Sequence, residues 1–313
     1  MSLRIEDFCR AFGILPSEMP RECTALIERL DFRYSLIRDT AYKDLLLRII
    51  RRYDDDTQKI AAAERTQVWH QGWQEALESF VKSEHSDDAL VPRFIRPGQP
   101  IRVFQQYVES PNPRFEYHWV ELIRTWFLSS YFGHCDHIWE FGCGTGFNLV
   151  AASRLFPNKQ LWGSDFVSSA VELVNKIAEV KRLNLKGFRF DMLKPDFGMI
   201  FPPNSGVFTF GSLEQLGGNI DPMLNYLLGN QPKVVVHVEP AAELYDPDNL
   251  HDYLALRFQN KRGYTAGLVN KLKALHESGR IELSKIQRTM IGSMLMEGYN
   301  IFVWRPNGTG SQG

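Results

Sequence analysis

Apolar positions fall three and four apart through the opening stretch, from Ile5 to about Ser83, as in "YSLIRDTAYKDLLLRIIRRY" and "TQVWHQGWQEALESFV". That spacing gathers apolar side chains on one face of a helix, so the chain is expected to begin as a set of amphipathic helices. "SEHSDDALVPRFIRPGQPIR" interrupts the pattern with charge, Pro92, Pro97, Gly98 and Pro100. It predicts a boundary between a helical N-terminal region, 1–100, and a second region, 101–313. After one more helix near 115–131 the pattern changes. Short apolar runs at 138–141, 160–164, 187–190, 207–210 and 233–238 alternate with helical stretches near 149–155, 168–182 and 223–228. Apolar strands separated by helices imply a parallel sheet covered on both faces. "RIELSKIQRTM" and "EGYNIFVWRP" are separated only by 291–296, too short for a parallel crossover, so they are expected to pair antiparallel. The expected fold is α/β: a doubly wound, mostly parallel sheet of about seven strands with an antiparallel last strand. A helical insertion is expected at about 244–278, with one long polar helix near 248–278, and the closing "NGTGSQG" reads as disordered.

Composition changes this picture little. At 313 residues, 44% hydrophobic and 23% charged, the chain can bury a substantial core. A net charge of −1 provides no bulk attraction to nucleic acid or an anionic membrane. Arg51, Arg52 and the run Asp54, Asp55, Asp56 read as a solvated helix end. The four cysteines, Cys9, Cys23, Cys135 and Cys143, form no CxxC pair and no metal-like cluster. The start lacks the features of a secretion signal, and no run reaches the length of a membrane span. The expectation is a cytoplasmic protein without membrane contact, with an oligomer left open.

Candidate chemistry begins at "IWEFGCGTGFNLV", where the first strand meets the next helix. Gly142, Gly144 and Gly146 crowd into five residues behind Glu140, which asks for left-handed backbone or a close approach. A dinucleotide fingerprint needs G-x-G-x-x-G, but position 147 is Phe147, and no Gly-Lys-Ser/Thr follows to make a phosphate loop. G-x-G-x-G suits a small zwitterionic group better than a pyrophosphate. Asp165 in "LWGSDF" closes the second strand, where an acid accepts from ribose hydroxyls. Asp191 in "FRFDML" closes the third, placed to accept from an adenine amino group, with Phe166 and Met192 to flank the ring. Each acid also has a structural reading: Asp165 as a helix cap and Asp191 as a turn acid. Phe210 ends the fourth strand, and Gly211 and Ser212 follow it at the same edge.

On these residues the stretch from about 115 to 306 resembles the class I S-adenosylmethionine-dependent methyltransferases, a Rossmann-like family of transferases. The resemblance implies that Glu140, Gly142, Cys143, Gly144 and Gly146 hold the methionine part of S-adenosyl-L-methionine. It assigns the ribose to Asp165, the adenine to Asp191 and Met192 beside Phe166, and the sulfonium side to 210–213, Phe210 and Gly211 first.

The acceptor is less legible. Methyl transfer to a hydroxyl needs alignment and a base. "VVVHVEP" puts His237 and Glu239 on one face at the end of the fifth strand, and His251 in the insertion is a third candidate. Tyr245, Tyr253, Arg257, Phe258, Lys261, Arg262 and Tyr264 in the insertion read either as a wet cover helix or as a lid. Phe104, Tyr107, Tyr117 and His118 are expected to close the pocket from the N-terminal side. Glu214, Glu239 and Asp246 offer oxygens for a divalent ion, but no spacing enforces one, and none is expected. The favoured expectation is O-methylation of a small-molecule acceptor, sugar-like or a secondary metabolite. A protein or RNA methyltransferase and a catalytically silent cofactor-binding module stay open.

Overall fold

The computed structural model describes residues 1–58, 60, 65–264 and 266–308. The final five of the residues expected to be disordered, 309–313, lie outside the described residues. The N-terminal region holds α1 (Ile5–Phe12), α2 (Arg21–Arg29), a short β1 (Ser35–Leu36), α3 (Asp39–Asp55) and α4 (Arg65–Lys82). A hairpin of β2 (Ile101–Val103) and β3 (Gln106–Glu109) precedes α5 (Phe115–Tyr131). Its turn places Phe104 at φ 48° and Gln105 at φ 61°, the two left-handed residues of a type I′ turn, built here without glycine.

The alternating half follows as β4 (His137–Phe141), α6 (Phe147–Leu155), β5 (Gln160–Asp165), α7 (Ser168–Lys181) and β6 (Leu185–Arg189). It continues through β7 (Ser205–Phe210), α8 (Asp221–Asn230), β8 (Val234–Glu239), α9 (Leu250–Arg262) and α10 (Leu268–Glu277). The chain closes with β9 (Ile281–Gln287), β10 (Ile291–Ser293) and β11 (Asn300–Pro306). Seven strands form one sheet in the order β6-β5-β4-β7-β8-β11-β9. Pairings within β6 to β8 are parallel, and β11 runs antiparallel to both β8 and β9. The expected fold is therefore the observed one. Order reverses between β4 and β7, which makes the carboxyl ends of those strands a topological switch point where doubly wound sheets bind ligands.

Alternate residues of each strand leave for opposite faces. Ile138, Leu161, Phe208, Val236 and Ile301 join the core under α5, α6 and α7, whereas Trp139, Val207, Val235 and Phe302 join the core under α8 and α10. Two buried faces explain why these strands read as continuous apolar runs.

Two features differ from expectation. The single long helix of the insertion is two, because Gly263 caps α9 at φ 70° and Gly267 precedes α10 at φ 94°. The link at 291–296 also carries β10, which pairs with β2 in a second sheet of order β1-β3-β2-β10. That small sheet and a shared core of Phe8, Phe12, Trp119 and Trp126 join the N-terminal helices to the wide sheet.

Candidate active site

The glycine loop leaves β4 with Gly142 at φ 73°, Gly144 at φ 49° and Gly146 at φ 72°. All three lie in the left-handed region that a side chain disfavours. Packing adds a second reason. A Cβ on Gly142 would sit 2.4 Å from the Ser212 Cβ, and one on Gly144 would sit 3.0 Å from the Trp73 ring. The loop is pinned from β5: Gly142 and Cys143 donate to the Ser164 carbonyl at 2.8 and 2.9 Å. Gly144 donates to Asp165 Oδ2 at 3.2 Å. Helix α4 covers the loop from outside, where Trp69 and Trp73 stack 5.3 Å apart and the His70 carbonyl accepts from Ser169.

Beside this loop lies a cavity of about 510 Å³. Glu140, Gly142, Cys143 and Gly144 form one end, Phe210, Gly211 and Glu214 a second side, and Trp69 and Trp73 the cover. Beyond them the walls are Phe94, Val120, Phe147 and Tyr299, with Phe258, Arg262 and Tyr264 from the insertion. Three carboxyl groups face this space from buried positions. Glu140 is 1% exposed; Asn148 donates to its Oε1 at 2.7 Å, and its Oε2 has no protein partner. Burial pushes its pKa up to about 8, against the pull of Asn148 and Arg124. Glu214 is held well above the usual carboxylate range by burial and by the facing Glu239 carboxylate, and its Oε2 is unpartnered too. Glu116, in the first turn of α5, accepts from the Tyr299 hydroxyl at 3.2 Å, and burial raises it to about 7.

These residues fit an S-adenosylmethionine at its amino-acid end. An orphaned buried acid oxygen at a glycine loop is a natural seat for an ammonium group, since an unpaired buried acceptor is costly until something donates to it. Phe210 and Gly211 line the same cavity, and a Gly142 Cβ would lie 3.5 Å from the Met192 methyl.

Other expected residues stand elsewhere. Both Asp165 oxygens are engaged by backbone, Oδ2 with Gly144 and Oδ1 with Val167 at 3.1 Å, and burial lifts the group to about 6. Asp191 closes its own turn by accepting from Leu193 at 2.9 Å, and Phe166 is 37% exposed. Asp165, Phe166, Asp191 and Met192 lie outside the cavity wall.

The expected bases stand off the cavity wall. His237 and Glu239 do share a face, but it is the face of Val235 under α8 and α10, opposite that of Glu140. His237 is fully buried, its Nδ1 lies 2.9 Å from the Thr209 hydroxyl, and burial lowers it to about 3. Glu239 accepts from the Ser212 N–H at 3.1 and 3.0 Å, so it anchors the turn after β7. His251 stands among aromatic rings, 4.9 Å from Tyr107 and 6.1 Å from Tyr42, and its carbonyl accepts from Arg102. None of the three lines the cavity.

Phe104, Tyr107, Tyr117 and His118 do not close it either. Phe104 lies under Arg10, Tyr107 accepts from Arg102, Tyr117 packs on Phe147 and His118 meets Asn112. Asp56, expected in solvent, is buried in an ion pair with Arg262 at 2.7 Å. Asp246 accepts from Asp248 within its own turn. Glu116, Tyr299 and the α4 tryptophans were not legible as site residues. Their only sequence signal is an acid or an aromatic within an amphipathic pattern, and a tertiary fold is needed to bring them together.

The chain matches no protein-family model, and no curated protein matches it in sequence. Among solved structures it is similar to an O-methyltransferase from neocarzinostatin biosynthesis, at 14% identity and a TM-score of 0.44, over 61% of this chain and 55% of that one. It is similar to a geranyl diphosphate C-methyltransferase from Streptomyces coelicolor A3(2), at 14% identity and a TM-score of 0.45, over 84% of this chain and 98% of that one. A third is the N,N-8-amino-8-demethyl-D-riboflavin dimethyltransferase from Streptomyces davawensis, at 13% identity and a TM-score of 0.44, over 62% of this chain and 56% of that one. The chain thus spans little more than half the length of the first and third of these. The chain's own sheet is Rossmann-like and doubly wound with one antiparallel strand, as the sequence resemblance implied.

Proposed function

We propose that this chain is an S-adenosylmethionine-dependent methyltransferase acting on the hydroxyl of a small acceptor. The observation that carries the reading is Glu140: a buried carboxyl with one unpartnered oxygen, on the cavity wall, beside a loop whose three glycines are all left-handed. Glu140, with the loop of Gly142 to Gly146, would hold the amino-acid end of the cofactor. When bound, the cofactor supplies an electrophilic methyl group on a sulfonium. The protein's share is to align the acceptor and keep water away, which the Trp69 and Trp73 cover and the aromatic walls favour. Aromatic and Met side chains among the walls, Phe94, Phe147, Phe210, Tyr299 and Met296 beside the Trp69 and Trp73 cover, support a compact acceptor with an apolar face over an RNA or protein chain. The formal charge of −1 agrees with this.

The test is release of S-adenosylhomocysteine from S-adenosylmethionine with a panel of hydroxylated acceptors. Acceptor-dependent release supports the reading. Tight cofactor binding with no acceptor-dependent release from any class would favour a silent binding module.

A further inference from the structure

We propose that Glu116 and Tyr299 form the hydroxyl-binding subsite of this cavity, that its acceptor is a small phenol, and that Glu116 takes the phenol's proton. The proposal rests on the methyltransferase reading above and deepens it.

Glu116 comes from α5, before the first strand of the wide sheet, and Tyr299 from the turn before β11. Chain order gives no reason for them to meet. They meet on the cavity wall, with the Tyr299 hydroxyl donating to Glu116 Oε1 at 3.2 Å. Glu116 is 5% exposed and Tyr299 is likewise 5% exposed, so this polar pair is buried, and both residues line the cavity. Ion pairing does not explain the acid, because no salt bridge engages it among the described residues. Arg96 nearby offsets only part of the burial, and Glu116 stays near 7. An acid poised there is ionised for half of the molecules at neutral pH, which suits a general base.

The acceptor class follows from the surroundings. Phe94, Val120, Phe147, Phe210 and Met296 line the same cavity as the pair. Phe210 lies 5.6 Å from the Tyr299 ring. Apolar and aromatic side chains in the same cavity as this acid and hydroxyl fit an aromatic ring bearing a hydroxyl group, while Glu140 and Glu214 belong to the glycine-loop side. In the reaction the acceptor O–H bond breaks toward Glu116, which becomes a neutral carboxylic acid. The oxygen's electron pair forms the new O–CH3 bond, and the methyl–sulfur pair remains on sulfur as a neutral thioether. Solvent later takes the proton from Glu116. Tyr299 is a positioning residue: its donation to Glu116 favours the charged form and so keeps the acid's pKa down.

The experiment uses the full chain, with 2-naphthol, cyclohexanol and methyl glucoside as acceptors. At saturating S-adenosylmethionine, which removes the pH dependence of cofactor binding through Glu140, release of S-adenosylhomocysteine should be fastest with 2-naphthol, and kcat/KM for the acceptor should rise with pH through about 7. Glu116→Gln should lower kcat by about 10²–10⁴-fold, remove that rise and leave the dissociation constant for S-adenosylhomocysteine unchanged. Unchanged binding also shows that the variant is folded. Tyr299→Phe removes the hydrogen bond that lowers the acid, so the rise should move to higher pH, an effect that loss of packing alone would not produce. A near-normal kcat in Glu116→Gln overturns the proposal, as does turnover of methyl glucoside alone, or cofactor binding with no turnover of 2-naphthol. Failure to bind S-adenosylhomocysteine at all defeats the underlying functional reading instead.

Discussion

Glu140→Gln isolates the group on which the cofactor reading depends. The replacement keeps the shape and leaves an amide oxygen to accept from Asn148, so the loop's support survives while the ionisable group is lost. In the free protein Glu140 has a pKa of about 8, so roughly nine in ten molecules carry it protonated at pH 7. A ligand whose ammonium pairs with the orphaned oxygen binds the ionised form. Affinity is then proportional to the ionised fraction, which grows about ninefold from pH 6 to pH 7 and flattens above the pKa. The assay is isothermal titration with S-adenosylhomocysteine at both pH values, in wild type and variant. Titration of the ligand itself is common to both proteins, so the readout is their ratio, expected to rise about ninefold in favour of wild type. At pH 8 the variant should bind roughly ten- to a hundredfold more weakly, the worth of a hydrogen bond to a charged group at about 1.5–3 kcal/mol. Parallel pH profiles in the two proteins would refute the pairing.

Three further outcomes follow from the buried acids and the buried histidine. His237 is neutral in the fold with a pKa near 3 against an ordinary 6.5, so its contribution to stability is complete above about pH 6.5 and is lost as pH falls toward 3. Chemical denaturation of His237→Gln should show a shallower acid loss than wild type, and turnover should keep its pH profile; loss of the rise of rate with pH on the acid side would restore the histidine as a base. Asp165→Ala removes the acceptor of the Gly144 and Val167 N–H groups and should cost about 1–3 kcal/mol in denaturant midpoint analysis, together with weaker S-adenosylhomocysteine binding; weaker binding at unchanged stability would show that the ribose role stands alone. Arg262→Ala leaves Asp56 buried without its partner and should destabilise the fold by roughly 3–5 kcal/mol in the same assay.

The wide sheet was legible because two buried faces turn each strand into an apolar run, and because three glycines in five residues have few structural reasons. The short link before the last strand told its direction for the same kind of reason: chain length limits topology. The small second sheet was not legible. Its strands run from two to four residues, too short for a period to show. Alternation told that His237 and Glu239 share a face, but not that α8 and α10 would cover it. The insertion read as one helix because Gly263 and Gly267 lie inside a continuous polar-apolar pattern and break it only through their left-handed backbone. Glu116 was hidden differently. An acid in the first turn of an amphipathic helix is what the helix dipole favours anyway, and only the fold shows that it meets Tyr299 over a cavity.

The central claim is that the glycine loop at the switch point binds S-adenosylmethionine. It is tested most directly by titrating the full chain with S-adenosylmethionine and, separately, with NADH, in wild type and in Gly144→Val. A valine at φ 49°, with its Cβ 3.0 Å from Trp73, cannot keep the loop's path. The account predicts saturable binding of S-adenosylmethionine to wild type, none of NADH, and loss of binding in a Gly144→Val protein that retains its helical circular dichroism. Binding of NADH in place of S-adenosylmethionine, or undiminished S-adenosylmethionine binding by the folded variant, would contradict it.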